Sequence, residues 1–232
     1  MNIDKQQLPS NSSPRPQGVV FDLDGTLVDS RRDIAVAANH ALAACGFATL
    51  THAELESYVG DGASLLLARA ARIGVEHVLI EKLMAEFLDY YSAHPIDYTE
   101  LMPGAREALA ALDHYPLGLC TNKPRRTTEK VLEGLDLGGH FKSVVAGDDL
   151  PQKKPDPAMV RHSAELLGVP AAGLVMVGDG PQDILSGRGA GAFTVGVRGG
   201  IQAIERLLAA KPDVVIDSLS ELPALISSLA AR

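Results

Sequence analysis

Disulfides, basic patches and long apolar runs are all missing from this chain. Its only cysteines are Cys45 and Cys120, too few for a disulfide framework, and a reducing compartment fits that usage. Lys and Arg number 21 against 29 Asp and Glu, for a formal net charge of −8. A surface of that sign disfavours nucleic acid or an anionic membrane as the main partner, and an anionic ligand would need local cations. No apolar stretch approaches the length of a membrane span. Residues 1–17 lack the apolar core of a signal peptide and carry Pro9, Pro14 and Pro16, so they read as a loose tail and the cytoplasm is the expected location. No repeat occurs, and no low-complexity run beyond that tail. What is present is a chain of 232 residues, 46% hydrophobic and 22% charged, enough for one large domain or one core with an insertion.

Gly18 to Phe21 form a short apolar run that turns acidic at Asp22, which predicts a first strand ending in Asp22-Leu23-Asp24-Gly25-Thr26. Residues 30–101 carry helix signals and no good strand. Ser30 with Asp33 and Thr51 with Glu54 are spaced as capping boxes. Ile34, Ala38 and Leu42 make an apolar stripe that Gly46 can end. Leu65, Leu66 and Ala70 belong to a further helix closed by Gly74, and Leu79, Leu83, Phe87 and Tyr91 repeat the i, i+4 spacing up to Pro95. From Pro103 the texture alternates: helix over 103–112, strand 117–120, helix 128–135, strand 143–146. Next come a helix capped by Asp156 with Pro157 at its first position and running to Leu167, strand 174–177, helix 182–188, and strands at 193–197 and 214–216. Helices alternating with fully apolar strands predict an α/β fold, a Rossmann-like parallel sheet covered on both faces, with an all-helical insertion after the first strand. The expected division is a tail at 1–17, a sheet core at 18–29 plus 102–232, and a helical insert at 30–101.

In such sheets a ligand sits at the carboxyl ends of the strands. The first strand delivers Asp22 and Asp24, which lie on one side of an extended chain, and Gly25 permits a turn there. The strand at 117–120 delivers Thr121, Asn122 and Lys123; Lys154 follows the strand at 143–146; Asp179 follows the strand at 174–177, with Asp183 at the start of the next helix. Carboxylates this close need a proton or a cation between them. Mg²⁺ suits, because it takes one or two carboxylates and keeps room for waters and phosphate oxygens; a hydroxyl and an ammonium suit phosphoryl oxygens. A DxD alone reads as an acidic turn closing a strand, and Thr121 alone as a strand end. Their joint placement points to a site. The seven histidines show no metal-ligand spacing, Cys120 inside a buried strand reads as packing, Lys123 is open between a cap or substrate contact and a solvated charge, and Arg69 and Arg72 read as exposed charge on an insert helix.

These stations, in this order, resemble the haloacid dehalogenase-like phosphohydrolases over residues 18–217. Asp22-Leu23-Asp24-Gly25-Thr26 looks like their first motif, Thr121 their second, Lys154 in Lys154-Pro155-Asp156-Pro157 their third, and Gly178-Asp179-Gly180-Pro181-Gln182-Asp183 their fourth. The insert resembles the family's mobile cap. Leu117 to Pro124, Asp148-Asp149 ahead of Lys154, and Gly60-Asp61-Gly62-Ala63 are most similar to the phosphoglycolate phosphatases, although Gly180 stands where Ser is common and Asp61 where Asn is frequent. The resemblance implies Mg²⁺-dependent hydrolysis of a small phosphorylated metabolite, 2-phosphoglycolate first, through an aspartyl-phosphate. It assigns Asp22 as nucleophile, Asp24 as acid and then base, and Thr121 and Lys154 to the phosphoryl oxygens. Asp22, the Asp24 carbonyl and Asp179 would hold the metal, with Asp183 orienting that shell directly or through water. Asn122, Gly60, Gly62 and Arg69 are expected around the substrate, the glycine-flanked helix start offering backbone N–H groups to a carboxylate. The expected partner is a small-molecule phosphate ester, handled by a monomer or homodimer. Hydrolysis of another phosphate or diphosphate, and a sugar-phosphate mutase of the same family, stay open as alternatives. From a different class, a receiver-like signalling domain also gathers acids, Thr and Lys around Mg²⁺; Asp24 two residues after the nucleophile and the long insert stand against it.

Overall fold

The computed structural model describes residues 15–231. Residues 1–14 of the expected tail lie outside the described residues; its last part joins the core, with Pro16 buried and the Gln17 N–H donating to the Gly173 carbonyl at 2.8 Å. The chain then runs through β1 (Gly18–Phe21), β2 (Val28–Asp29), α1 (Arg31–Ala44), α2 (His52–Glu56), α3 (Ala63–Ala71), α4 (Leu79–Ala93) and β3 (Glu100–Leu101). It continues with α5 (Ala105–Ala111), β4 (Leu117–Cys120), α6 (Arg125–Gly134), β5 (Ser143–Val145), α7 (Ala158–Leu167) and β6 (Leu174–Gly178). The last elements are α8 (Pro181–Ala190), β7 (Phe193–Val197), α9 (Ile204–Ala209), β8 (Val214–Ile216) and α10 (Leu222–Ala230).

Six strands form one parallel sheet in the order β5-β4-β1-β6-β7-β8. Because side chains alternate along a strand, each strand feeds two apolar layers. Val19, Phe21, Leu119 and Val177 pack with Leu109 of α5, Val131 of α6 and Ile226 of α10 on one face. Val20, Cys120 and Met176 pack with Met159, Val160 and Ala164 of α7 on the other. Burial on both faces is why these strands are apolar throughout. A separate apolar cluster joins Ile34, Ala38 and Leu42 of α1 to Leu66 and Leu67 of α3 and to Leu83 and Phe87 of α4. Most stripe residues expected from periodicity are buried, but Leu65 and Leu79 are only half-buried, and Leu67 and Ile80 take the core positions.

Several local expectations need correction. Residues 28–29 and 100–101 pair as an antiparallel two-stranded ribbon, so short strands stand at both ends of the helical insert. Thr51 and Glu54 form a capping box, but Ser30 and Asp33 do not: Ser30 makes no cap bond. The Asp33 carboxylate instead accepts from Tyr98 N–H (3.0 Å), Thr99 N–H (2.8 Å) and Thr99 Oγ1 (2.6 Å). Helix α3 ends on Arg72 in the left-handed region, φ 56°, two residues before Gly74. Helix α6 begins earlier than expected, and α7 starts at Ala158, whose N–H donates to Asp156 Oδ1 at 2.9 Å. The helices α9 and α10 carry no counterpart in the sequence reading.

Candidate active site

The chain order places β4 and β5 on one side of β1 and β6 to β8 on the other, so the connections diverge at β1 and leave a crevice at its carboxyl end. Asp22 N–H donates to Val177 O at 2.9 Å and Thr121 N–H to Val145 O at 3.0 Å. The parallel ladder therefore continues one residue past β1 and β4 and holds both residues over the crevice. Asp179 follows β6 directly. Asp183, in the first turn of α8, accepts from the Gly180 N–H at 3.1 Å. Two glycines make this crowding feasible. A side chain at Gly25, where φ is 92°, would occupy the space of the Asp179 carboxylate, and one at Gly178 that of Asp183.

Carboxylate oxygens of Asp22, Asp179 and Asp183 lie within 4.8 Å of one another, and all three residues are buried. The Lys154 ammonium uses its three donors on Asp22 Oδ1 (2.8 Å), Asp183 Oδ1 (2.6 Å) and the Cys120 carbonyl (2.7 Å). Burial pushes the Asp22 carboxyl up to about 8; Lys154 pulls against this, while Asp183 and Asp179 reinforce it. Burial and then Asp183 raise Asp179 to about 7. Burial alone would lower Lys154, but Asp183 and Asp22 outweigh it and its pKa is raised. Three carboxylates facing one ammonium leave a deficit of positive charge. The donors are hard oxygens without nitrogen or sulfur, a set that suits a divalent oxygen-seeking cation.

Asp24 stands apart from that cluster. Its Oδ1 accepts from Ser30 Oγ at 2.5 Å and from Lys123 Nζ at 3.0 Å. Lys123 is buried, 5% exposed, which removes the solvated reading; its Nζ also donates to Tyr91 Oη at 2.6 Å and lies 4.3 Å from that ring's centre. Thr121 is buried beside them, its Oγ1 accepting from the Lys123 N–H at 3.2 Å. Asn122 ties two loops together: it donates to Lys154 O (2.9 Å) and Gly60 O (3.2 Å) and accepts from Lys154 N–H (3.0 Å).

A cavity of about 40 Å³ lies between the sheet edge and the helices. Asp22, Asp24, Thr121, Asn122 and Lys123 border it on one side; Gly60, Gly62, Ile34, Val59, Leu66, Phe87 and Tyr91 border it on the other. Arg69 does not. Its Nη1 pairs with Asp61 Oδ2 at 2.7 Å, and Asp61 Oδ1 accepts from Gln182 Nε2 at 2.6 Å. Periodicity assigns Tyr91 to an apolar stripe and spacing assigns Ser30 to a cap, yet both bond into the site. No motif marks the N–H groups of Ile201 and Gln202, which donate to Asp179 Oδ2 at 2.7 and 3.0 Å. The polar tip on a stripe residue was the one available signal.

A parallel sheet whose strand ends carry this acidic cluster, a lysine and a threonine defines a class of hydrolase, and comparison with known proteins agrees. The family model described as haloacid dehalogenase-like hydrolase matches residues 19–197. The phosphoglycolate phosphatase of Neisseria meningitidis serogroup A is 38% identical over 215 residues, covering 89% of this chain and 92% of that protein. That of Rhodospirillum rubrum is 41% identical over 189 residues, 78% of each chain. The crystal structure of a "predicted phosphoglycolate phosphatase" from Haemophilus somnus 129PT superposes with a TM-score of 0.81 at 26% identity, covering 92% of this chain and 99% of that one. The chain belongs to the haloacid dehalogenase-like hydrolases.

Proposed function

We propose that this chain is a Mg²⁺-dependent phosphatase acting on a small phosphorylated metabolite, with 2-phosphoglycolate as the preferred substrate. The observation that carries this reading is the division of labour between Asp22 and Asp24. They are two residues apart and border one cavity, yet Asp22 is held by Lys154 among acids while Asp24 is held by Ser30 and Lys123. These different surroundings support a reading in which one carboxylate attacks phosphorus and the other handles the leaving oxygen's proton.

In this reading Asp22 attacks the phosphoryl group and becomes an aspartyl-phosphate, which splits one difficult displacement into two. Asp24 gives a proton to the departing alkoxide and takes one from the water that hydrolyses the intermediate. Thr121 and Lys154 hold phosphoryl oxygens as charge redistributes. Bound by Asp22, the Asp24 carbonyl and Asp179, with Asp183 directly or through water, the metal would neutralise repulsion between carboxylate and phosphate. The helices of residues 30–101 act as a cap over Asp22 that excludes bulk water. Asn122, Gly60 and Gly62 border the bound ester; Arg69 contributes only through Asp61. The helix side of the cavity presents the apolar side chains of Ile34, Val59, Leu66 and Phe87, which favours a short leaving group over a hydroxyl-rich sugar. The relatives named phosphoglycolate phosphatase support the same choice.

Phosphate release from a few dozen phosphorylated metabolites with Mg²⁺ tests the proposal. Phosphoglycolate should rank first by kcat/KM. A sugar phosphate at the head of the ranking would replace the substrate assignment, and a single labelling event without turnover would favour the receiver-like alternative.

A further inference from the structure

The leaving-group side of the cavity holds two buried groups that each keep one hydrogen without an acceptor among the described residues. Lys123 Nζ carries three N–H groups and uses two, on Asp24 Oδ1 and Tyr91 Oη. Tyr91 Oη accepts that bond and makes no other among the described residues, so its own O–H is unspent. Lys123 is 5% and Tyr91 1% exposed; both border the cavity, whose wall toward α1, α3 and α4 carries the apolar side chains of Ile34, Val59, Ala63, Leu66 and Phe87 beside Gly60 and Gly62. A buried hydrogen without an acceptor is costly, and Lys123, already paired with Asp24, and Tyr91 would both be satisfied by a guest that brings two acceptor oxygens.

We propose that Lys123 Nζ and Tyr91 Oη form a carboxylate-binding subsite that selects phosphate esters of 2-hydroxy acids. The proposal rests on the phosphatase reading and specifies its substrate class. Spacing supports it. The leaving oxygen must sit within hydrogen-bond reach of Asp24, and Lys123 Nζ is 3.0 Å from Asp24 Oδ1. In a 2-phospho acid the carboxylate oxygens lie about 3 Å from the ester oxygen at ordinary bond lengths. One small molecule therefore spans Asp24 and Lys123 without stretching either contact. An alkyl leaving group would leave both donors empty. A polyol would bring hydroxyls against Ile34, Val59, Leu66 and Phe87, where they find no partners.

The test compares kcat/KM for phosphoglycolate and ethyl phosphate, in which a methyl group replaces the carboxylate. The wild-type chain should prefer phosphoglycolate, and Tyr91→Phe, which keeps the ring and removes the O–H, should reduce the ratio about 10- to 100-fold. Lys123→Gln should reduce the same ratio, and in both variants the inhibition constant of glycolate should rise more than that of inorganic phosphate. Equal losses on both esters in Tyr91→Phe would assign Tyr91 to holding Lys123 against Asp24 and overturn the subsite. So would a wild-type ratio near one. If Tyr91→Phe does not yield folded protein, the wild-type ratio and glycolate inhibition of Lys123→Gln decide. Failure of the wild-type chain to release phosphate from any ester overturns the phosphatase reading itself.

Discussion

At the scale of single residues, the chemistry depends on giving identical side chains different surroundings. Asp22 and Asp24 share a functional group but not a partner, and their substitutions should separate. Asp22→Asn should lower turnover by at least about 10⁴-fold and abolish covalent phosphate, because an amide is a poor nucleophile. Asp24→Asn should cost about 10²–10⁴-fold on unactivated esters. With p-nitrophenyl phosphate, whose leaving group needs no proton, it should slow hydrolysis of the intermediate more than its formation. Phosphate should then accumulate on Asp22, detectable by mass spectrometry of the quenched protein. Phosphate recovered on any other residue would refute the assignment.

At the scale of elements, two acids, one buried and one exposed, fasten helices to segments far along the chain. Asp33, 3% exposed on α1, satisfies two backbone N–H groups and a hydroxyl at Tyr98 and Thr99, at the point where the chain returns to the sheet. Asp33→Ala leaves those donors buried and unpaired, and should cost about 2–4 kcal/mol, read as a lower urea midpoint; an unchanged midpoint would mean that the segment finds other partners. Asp149 ties the turn after β5 to the start of α6: Arg125 Nε donates to its Oδ1 at 2.7 Å and Ala146 N–H to its Oδ2 at 2.8 Å. The Arg125 bond is the largest cause holding the Asp149 carboxyl below its ordinary 3.8. The unfolded chain therefore takes up this proton at higher pH than the folded one. The stabilisation is fully present above about pH 4 and lost as pH falls through the folded value. Since the pair is partly exposed, Asp149→Asn should destabilise by about 1 kcal/mol at pH 7. Denaturant titrations should show that gap closing as pH falls below the ordinary 3.8; a gap of constant size would assign the effect to geometry instead of charge.

At the scale of the whole molecule, the helices and the sheet meet through the loop of residues 59–61. Asn122 holds Gly60 O, Gln182 holds Asp61 and the Gln202 side chain donates to Val59 O. Each of these amides adjoins a residue of the site: Thr121, Asp183, or Asp179 through the Gln202 N–H. The acid cluster and the loop that closes over it are thus built on shared residues. Chelation with EDTA should remove activity, Mg²⁺ should restore it, and Ca²⁺ should restore little, since it prefers longer bonds and more ligands and would misplace Asp22. Mg²⁺ should also raise the melting temperature, because a ligand that binds only the folded state stabilises it by mass action. The rise should shrink in Asp179→Asn. Full activity in excess EDTA would overturn the metal assignment.

The apolar strand runs, the helical stripes of the insert and the order of Asp22, Thr121, Lys154 and Asp179 were legible without coordinates, because each is written in neighbouring residues. Periodicity reports which face is buried, and a parallel sheet sends every strand end to one edge. Partners of polar groups obey no such local rule. Asp33 looked like a cap because its donor was sought three residues away; its donors lie 65 and 66 residues on, at Tyr98 and Thr99. Lys123 looked as much like surface charge as like a site residue, because its partners are 32 and 99 residues distant, at Tyr91 and Asp24. Tyr91 matched an apolar stripe, and only the docking of α4 over the sheet edge turned its hydroxyl toward Lys123. Local pattern decided most of the elements and which polar residues reach the sheet edge, while tertiary packing decided which charges were desolvated, and burial is what makes an unpaired donor or acid consequential.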